Sequence, residues 1–316
     1  MTDALAGKRI WIAGQGGMVG RALARRLAGL RCTLVTPASR IDLRDQSATY
    51  DWIARQHIDL ILLAAARVGG IRANLDRPGE FLFDNLLIQA NVIEGARRAG
   101  VTRLIAIGSS ALYPQDAPQP IVEQALLTGP LDPAHEGYAI AKIAGAKLCE
   151  TYARQYGCAF TAVLPTNLYG PFDNFALPGA HVLPALLRRL HEAKLANAPS
   201  LAIWGSGRAL REFLHVDDLA DALIAIAERP DVPGPINIGS GDEISIADLA
   251  RLISDIVDYR GMLAFDSGQP DGVPRKRLDS TRLCALGWRS TIDLRSGVEA
   301  LYKWYLAQDE TTIRRD

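Results

Sequence analysis

The stretch Lys8-Arg-Ile-Trp-Ile-Ala-Gly14-Gln-Gly-Gly-Met-Val-Gly20 decides the fold. Its first half, 8–13, is an apolar run of strand length, and glycines follow at 14, 17 and 20. Arg21-Ala-Leu-Ala-Arg-Arg-Leu-Ala28 then repeats its apolar residues at helical spacing. Strand, glycine turn and helix in this order form the entry to a dinucleotide-binding unit. The glycines allow a tight turn and a close approach of backbone to pyrophosphate, and the helix N-terminus faces the phosphate charge. The spacing is Gly-x-x-Gly-x-x-Gly. A plain glycine loop is the competing reading, which the flanking strand and helix disfavour.

Outward from this unit the pattern alternates. Strands are expected at 9–13, 32–35, 60–64, 104–108 and 159–164, separated by helices near 18–29, 47–56, 79–98 and 138–156. That alternation implies an α/β fold with a doubly wound parallel (Rossmann) sheet. After Pro165 the texture turns irregular and rich in proline and glycine. A helix near 182–193, a strand near 201–204, helices near 217–228, 246–257 and 294–306, and a strand near 235–238 follow. We expect a dinucleotide-binding domain over 1–166, with returning segments near 213–240. A smaller, discontinuous α/β substrate domain over 167–316 completes the expectation, with the substrate in the cleft between them. Residues 308–316 read as a frayed tail.

Two further stretches carry chemistry. Arg103-Leu-Ile-Ala-Ile-Gly-Ser-Ser110 is an apolar strand ending in two serines, and open parallel sheets bind ligands beyond the carboxyl ends of their strands. Gly137-Tyr-Ala-Ile-Ala-Lys142 places a tyrosine and a lysine four apart on one helix face. An ammonium beside a phenol is expected to pull the phenol pKa down from about 10. Such a phenol can pass a proton to a substrate oxygen while hydride moves to the same carbon. Each signal alone has an ordinary reading, as turn serines or a solvated helix face; their joint order and spacing carry the weight.

Composition narrows the class. The 316 residues suffice for a substantial core, and 35 Lys plus Arg balance 35 Asp plus Glu, so no polyanion partner such as nucleic acid is implied. No apolar run approaches the roughly 20 residues of a membrane span, and the N-terminus lacks a signal-peptide pattern. Cys32, Cys149, Cys158 and Cys284 have no metal-like spacing, so free thiols, no metal and a cytoplasmic setting are expected.

At this point the chain resembles the extended short-chain dehydrogenases/reductases that act on nucleotide sugars. Within them it is similar to the GDP-L-fucose synthase family, the GDP-4-keto-6-deoxy-mannose 3,5-epimerase/4-reductases. The resemblance rests on Ala64-Ala-Ala-Arg-Val-Gly-Gly70, Tyr138-Ala-Ile-Ala-Lys-Ile-Ala-Gly145, Pro165-Thr-Asn-Leu-Tyr-Gly-Pro171, Asp173-Asn-Phe175, His181-Val-Leu-Pro184, Trp204-Gly-Ser-Gly207 and Arg211-Glu-Phe-Leu-His-Val-Asp-Asp218. It covers nearly the whole chain, from the glycine turn to Trp304. It implies that Tyr138, Lys142, Ser109 and His181 are catalytic. Gly14, Gly17, Met18, Val19, Gly20, Ala65, Ala66, Ser109, Lys142, Pro165, Asn167 and Leu168 would hold NADP(H), with NAD(H) as the alternative. Ser110, Asn167, Arg189, Trp204, Arg211, Asp271 and Lys276 would hold a GDP-sugar. A homodimer through the helices near 79–98 and 138–156 is also implied.

Two departures qualify the resemblance. The family's inverting pair is a cysteine directly after the strand-end serines and a histidine; His181 matches the histidine, but Ala111 stands at the cysteine position. A methyl group moves no proton, so reduction is expected to survive while epimerisation is in doubt, or rests on His181 with water or Tyr113. The family's arginines for the 2′-phosphate of NADP fall at Gly16 and about Ala38, with Arg40 and Arg67 as nearby substitutes and Asp42 expected over the adenine end. His215 to Asp218 reads as structural, with Asp217 as a helix cap. The competing functions are a nucleotide-sugar 4-epimerase with bound NAD and a non-catalytic dinucleotide sensor.

Overall fold

The computed structural model describes residues 4–177, 179–269, 271–309 and 313; positions 310–312 and 314–316 of the expected tail lie outside the described residues. The apolar runs of the first half form β1 (Arg9–Ala13), β2 (Thr33–Leu34), β3 (Leu60–Leu63), β4 (Arg103–Ile107) and β5 (Ala159–Pro165). Between them run α1 (Met18–Leu27), α2 (Gln46–Arg55), α3 (Ile71–Asp76), α4 (Pro78–Arg98) and α5 (Glu136–Tyr156). The rest comprises β6 (Asn167–Tyr169), α6 (Val182–Leu195), β7 (Ser200–Trp204), β8 (Leu210–His215), α7 (Val216–Ala227) and β9 (Ile236–Ile238). After these come β10 (Glu243–Ser245), α8 (Ile246–Val257), β11 (Met262–Asp266), β12 (Arg275–Lys276), α9 (Thr281–Ala285) and α10 (Leu294–Leu306).

The expected doubly wound sheet is present, in the order β2-β1-β3-β4-β5-β9 with every neighbouring pair parallel. Side chains sort across it by parity, since successive residues of a strand point to opposite faces. Ile10, Ile12, Leu60, Leu62, Ile105 and Ile107 join the core with α1 and α7. Trp11, Ala13, Ile61, Leu63, Leu104 and Ala106 join the core with α2, α4 and α5. Covering both faces is what makes these strands read as continuous apolar runs. The chain goes from β1 outward to β2 and returns to β3 on the other side. The carboxyl ends of β1 and β3 therefore form a switch point, where such sheets take their ligands.

A second core joins α6, α8 and α10 with Ile203 of β7 and Phe213 of β8. β8 is the centre of a small sheet, antiparallel to β10 and parallel to β12 and β6, while β7 pairs with β11. The sequence reading misses β8, because Arg211 and Glu212 interrupt its apolar pattern. Glu212 is fully buried, yet its carboxylate accepts the amides of Gly241 (2.7 Å) and Leu278 (2.9 Å), which makes a charge tolerable there. The cap of α7 is also corrected. His215, not Asp217, is the N-cap: its Nδ1 accepts the Asp217 amide at 3.2 Å. The Asp217 carboxylate instead pairs with Arg25 at 2.6 Å and ties α7 to α1.

Candidate active site

The glycine turn is built by close approach. A Cβ at Gly14, whose φ is +99°, would lie 2.5 Å from the Ala65 amide, so β1 and β3 can meet at the switch point only through a glycine. A Cβ at Gly20 would lie 2.2 Å from the Gly14 carbonyl, so that glycine lets α1 start inside the turn. Gly17 differs: its Cβ would make ordinary contact only, and it begins α1 without any side-chain cap. The first amides of α1, at Met18 and Val19, have no acceptor within the helix and no side-chain cap, a ready anion site. A dinucleotide fits this cradle.

Tyr138 and Lys142 lie on α5, and Ser109 follows the carboxyl end of β4, before a 3-10 turn that packs against α5. Ser109 Oγ accepts the Ala111 amide at 3.1 Å, which leaves its own proton free to donate. Ser110 is buried at the start of a 3-10 turn, 110–112. Lys142 is 3% exposed, and among the described residues its ammonium has no hydrogen bond or ion pair. Burial lowers its pKa to about 8. A buried charge without a partner is costly unless a ligand supplies one, so Lys142 also fits a bound dinucleotide. The expectation for Tyr138 is corrected. Burial pushes its phenol above the usual value of about 10. Desolvation by burial is the cause, so the phenol is held protonated, the form that donates. Pro165 ends β5, and Asn167 donates from Nδ2 to the Glu212 carbonyl at 2.8 Å, which places Leu168 beside the same cleft.

His181 is the N-cap residue of α6; protein around it and the neighbouring His135 lower its pKa. Tyr113 is removed as a proton carrier: it is 1% exposed and donates to Asn237 Oδ1 at 2.6 Å. Ala111 lies in the 3-10 turn after Ser109.

At the far end of the cofactor groove, Arg67 is occupied by Asp84 (2.7 Å) and Glu80, so it is not available as the expected substitute cation. Asp42 is likewise held by Arg44 at 2.7 Å, whose hydrogen bond keeps its carboxyl well below the usual carboxylate range, at about 2. Arg40 is exposed and, among the described residues, makes no hydrogen bond or ion pair.

On the substrate side, Lys276 of β12 sits in register with Arg211 of β8. Burial depresses both pKa values, and Arg211 further depresses Lys276. Arg211 spends one nitrogen on the Leu210 carbonyl at 2.8 Å, and Lys276 has no hydrogen bond among the described residues. Two adjacent cations with spare donors suit a diphosphate. Arg189 donates to the Ala202 carbonyl of β7 at 2.6 Å, two residues before Trp204, which is 71% exposed. Asp271 is committed elsewhere, accepting the amide and hydroxyl of Ser206 at 2.6 Å each, and so clamps the turn after Trp204.

The sequence reading misses three groups here. His135 and Asp132 stand just before α5, with Nδ1 of the first 3.4 Å from Oδ2 of the second. Their signal is a histidine three residues before Tyr138 and seven before Lys142. Asp173 lies in the loop after β6 with a buried Oδ2 lacking any hydrogen-bond partner among the described residues, and burial lifts it to about 7. Its neighbour Phe172 has φ +70° and lies under the Arg21 guanidinium at 4.3 Å, joining this loop to α1.

Residues 10–239 match the family described as the NAD dependent epimerase/dehydratase family. A GDP-L-fucose synthase of Sinorhizobium fredii (strain NBRC 101917 / NGR234) is 47% identical over 304 residues, covering 96% of this chain and 97% of that protein. A crystal structure of a GDP-6-OMe-4-keto-L-xylo-heptose reductase from C. jejuni superposes with a TM-score of 0.90 at 32% identity, covering 98% of this chain and 99% of that one. A GDP-mannoheptose C4 reductase from Campylobacter jejuni with NADP bound does so at 0.86 and 34%, covering 97% and 100%.

Proposed function

This chain belongs to the NAD dependent epimerase/dehydratase family, and from that premise we propose that it reduces the C4 ketone of a GDP-linked 4-keto-6-deoxy sugar with NADPH. The observation that carries the reading is the buried Lys142, without a hydrogen bond or ion pair among the described residues, one turn from a Tyr138 held protonated on α5, beside the finding that Arg211 and Lys276 are paired on adjacent strands. Similar proteins bear names of GDP-sugar synthases and C4 reductases, which supports the substrate class. When bound, the nicotinamide supplies a hydride. Tyr138 then donates its proton to the forming alkoxide, and Ser109 hydrogen-bonds the same oxygen. Lys142 would hold the nicotinamide ribose and keep positive charge beside the phenolate as it develops. Arg211 and Lys276 would bind the diphosphate, with Arg189 and the Trp204 face towards the rest of the nucleotide.

NADPH is preferred over NADH on two grounds. No carboxylate follows β2 directly to bind a free ribose 2′-hydroxyl, and Arg40, near that position, makes no hydrogen bond or ion pair among the described residues. The reading divides the chain into cofactor-binding residues 1–166 and substrate-binding residues 167–316. It extends to a homodimer through α4 and α5, whose Phe83 and Ile140 are exposed apolar side chains. The test is cofactor consumption with GDP-4-keto-6-deoxy-mannose. NADPH is expected to be consumed faster than NADH, and consumption of neither would refute the proposal.

A further inference from the structure

His135 belongs to the same stripe as the two residues that define the site. Tyr138 and Lys142 are four apart on one face of α5, and His135 is the N-cap residue just before its first turn, three residues before Tyr138. α5 leads into β5 of the parallel sheet, so its first turn lies at the carboxyl edge where ligands bind. The stripe runs from Lys142, buried at the floor, through Tyr138 to the half-buried His135 at the lip.

Asp132 holds this imidazole. Its Oδ2 faces His135 Nδ1 at 3.4 Å, its Oδ1 accepts the Ala134 amide at 2.9 Å, and its carbonyl accepts the His135 amide at 3.0 Å. A carboxylate against Nδ1 keeps the proton there and leaves Nε2 with its lone pair. His181 lies near enough for the His135 charge to act on it, and Lys276 acts on His135 in turn. Desolvation with these neighbours keeps both imidazoles below the usual histidine value, neutral and able to accept a proton at pH 7. Elsewhere in the cleft, Ala111 carries no titratable group and Tyr113 is locked to Asn237.

We propose that His135, held by Asp132, forms with His181 an acid–base pair that exchanges the proton on a carbon flanking the substrate ketone. This adds an isomerising step to reduction, and it rests on the reading of the site as a 4-keto sugar reductase. One imidazole takes the carbon-bound proton. The C–H electron pair becomes a C=C bond, and the carbonyl π pair moves to oxygen, where Ser109 and Tyr138 donate hydrogen bonds. The other imidazole, protonated from water, returns a proton to the same carbon and restores the ketone, inverting the centre when it arrives on the opposite face. The first imidazolium releases its proton to water, so no net proton is consumed. No oxidant, reductant or further reactant is consumed.

The test uses the full chain with GDP-4-keto-6-deoxy-mannose in deuterated water, reading deuterium at C3 and C5 by NMR and, separately, NADPH oxidation. The wild type is expected to incorporate deuterium at one or both carbons. His135→Asn and His135→Gln should each lower the ratio of exchange to reduction about 100-fold, the scale of a lost general acid–base. Asp132→Asn, which leaves the imidazole in place, should lower it less. A wild type that oxidises NADPH without incorporating deuterium overturns the pair and leaves the reductase reading standing. So does a His135 variant whose ratio is unchanged. A wild type that neither reduces nor exchanges overturns both.

Discussion

An ammonium removed from water with no carboxylate beside it destabilises the fold that contains it, and among the described residues Lys142 has no such partner. An unfolded lysine titrates near 10.4, whereas this one titrates at about 8. Between those values the unfolded chain binds more protons, so stability from this group rises with pH; below about 8 the penalty is constant. Lys142→Met should therefore raise the Tm of the cofactor-free protein at pH 7, by an amount equivalent to on the order of 3 kcal/mol, while abolishing reduction. A Tm that falls would contradict this account of the lysine. In the wild type, kcat/KM for reduction should decline as pH rises through about 8, as the ammonium is lost. The Tyr138/Lys142 spacing was legible in the sequence. The direction of the phenol shift was not, because burial is set by tertiary packing around α5. His135 was readable as a member of the stripe, but Asp132 against it required the loop before the helix.

At the scale of elements, the glycine turn makes a sharper claim than its spacing. Gly20→Ala would place a methyl group 2.2 Å from the Gly14 carbonyl, so α1 must leave β1 for the side chain to fit. Overpacking against fixed backbone costs about 1–3 kcal/mol or more, and thermal melts should register it together with lost dinucleotide binding. Gly16→Ala meets nothing within 4 Å and should leave Tm unchanged. Equal melts for the two variants would remove the turn from the account. The contrast was partly readable: strand, turn and helix were in the pattern, but which glycine touches backbone depends on β3 lying beside β1. β8 shows the opposite case. Its buried Glu212 reads as a surface residue until the amides of Gly241 and Leu278 are seen to close on it.

Across the whole molecule, the cleft is assembled from residues far apart in sequence. Tyr138 comes from α5, His181 from α6, and Arg211 and Lys276 from adjacent strands of the small sheet. Family resemblance reached the cations one by one, but only the pairing of β8 with β12 sets them side by side, as the proposed diphosphate site requires. Arg211→Ala and Lys276→Ala should each weaken GDP binding about 10- to 100-fold, the range of a charge-assisted hydrogen bond, and leave NADPH titration unaffected. A parallel loss of NADPH affinity would deny that the two ligands occupy separate halves of the cleft. The most direct test of the central claim follows the hydride itself, using NADPH deuterated at the transferred position with GDP-4-keto-6-deoxy-mannose. One deuterium should appear at sugar C4 for each NADPH oxidised, at a rate reduced about 10²- to 10⁴-fold in Tyr138→Phe. A sugar interconverted at C4 without net cofactor oxidation, or no turnover of this substrate at all, would contradict the account.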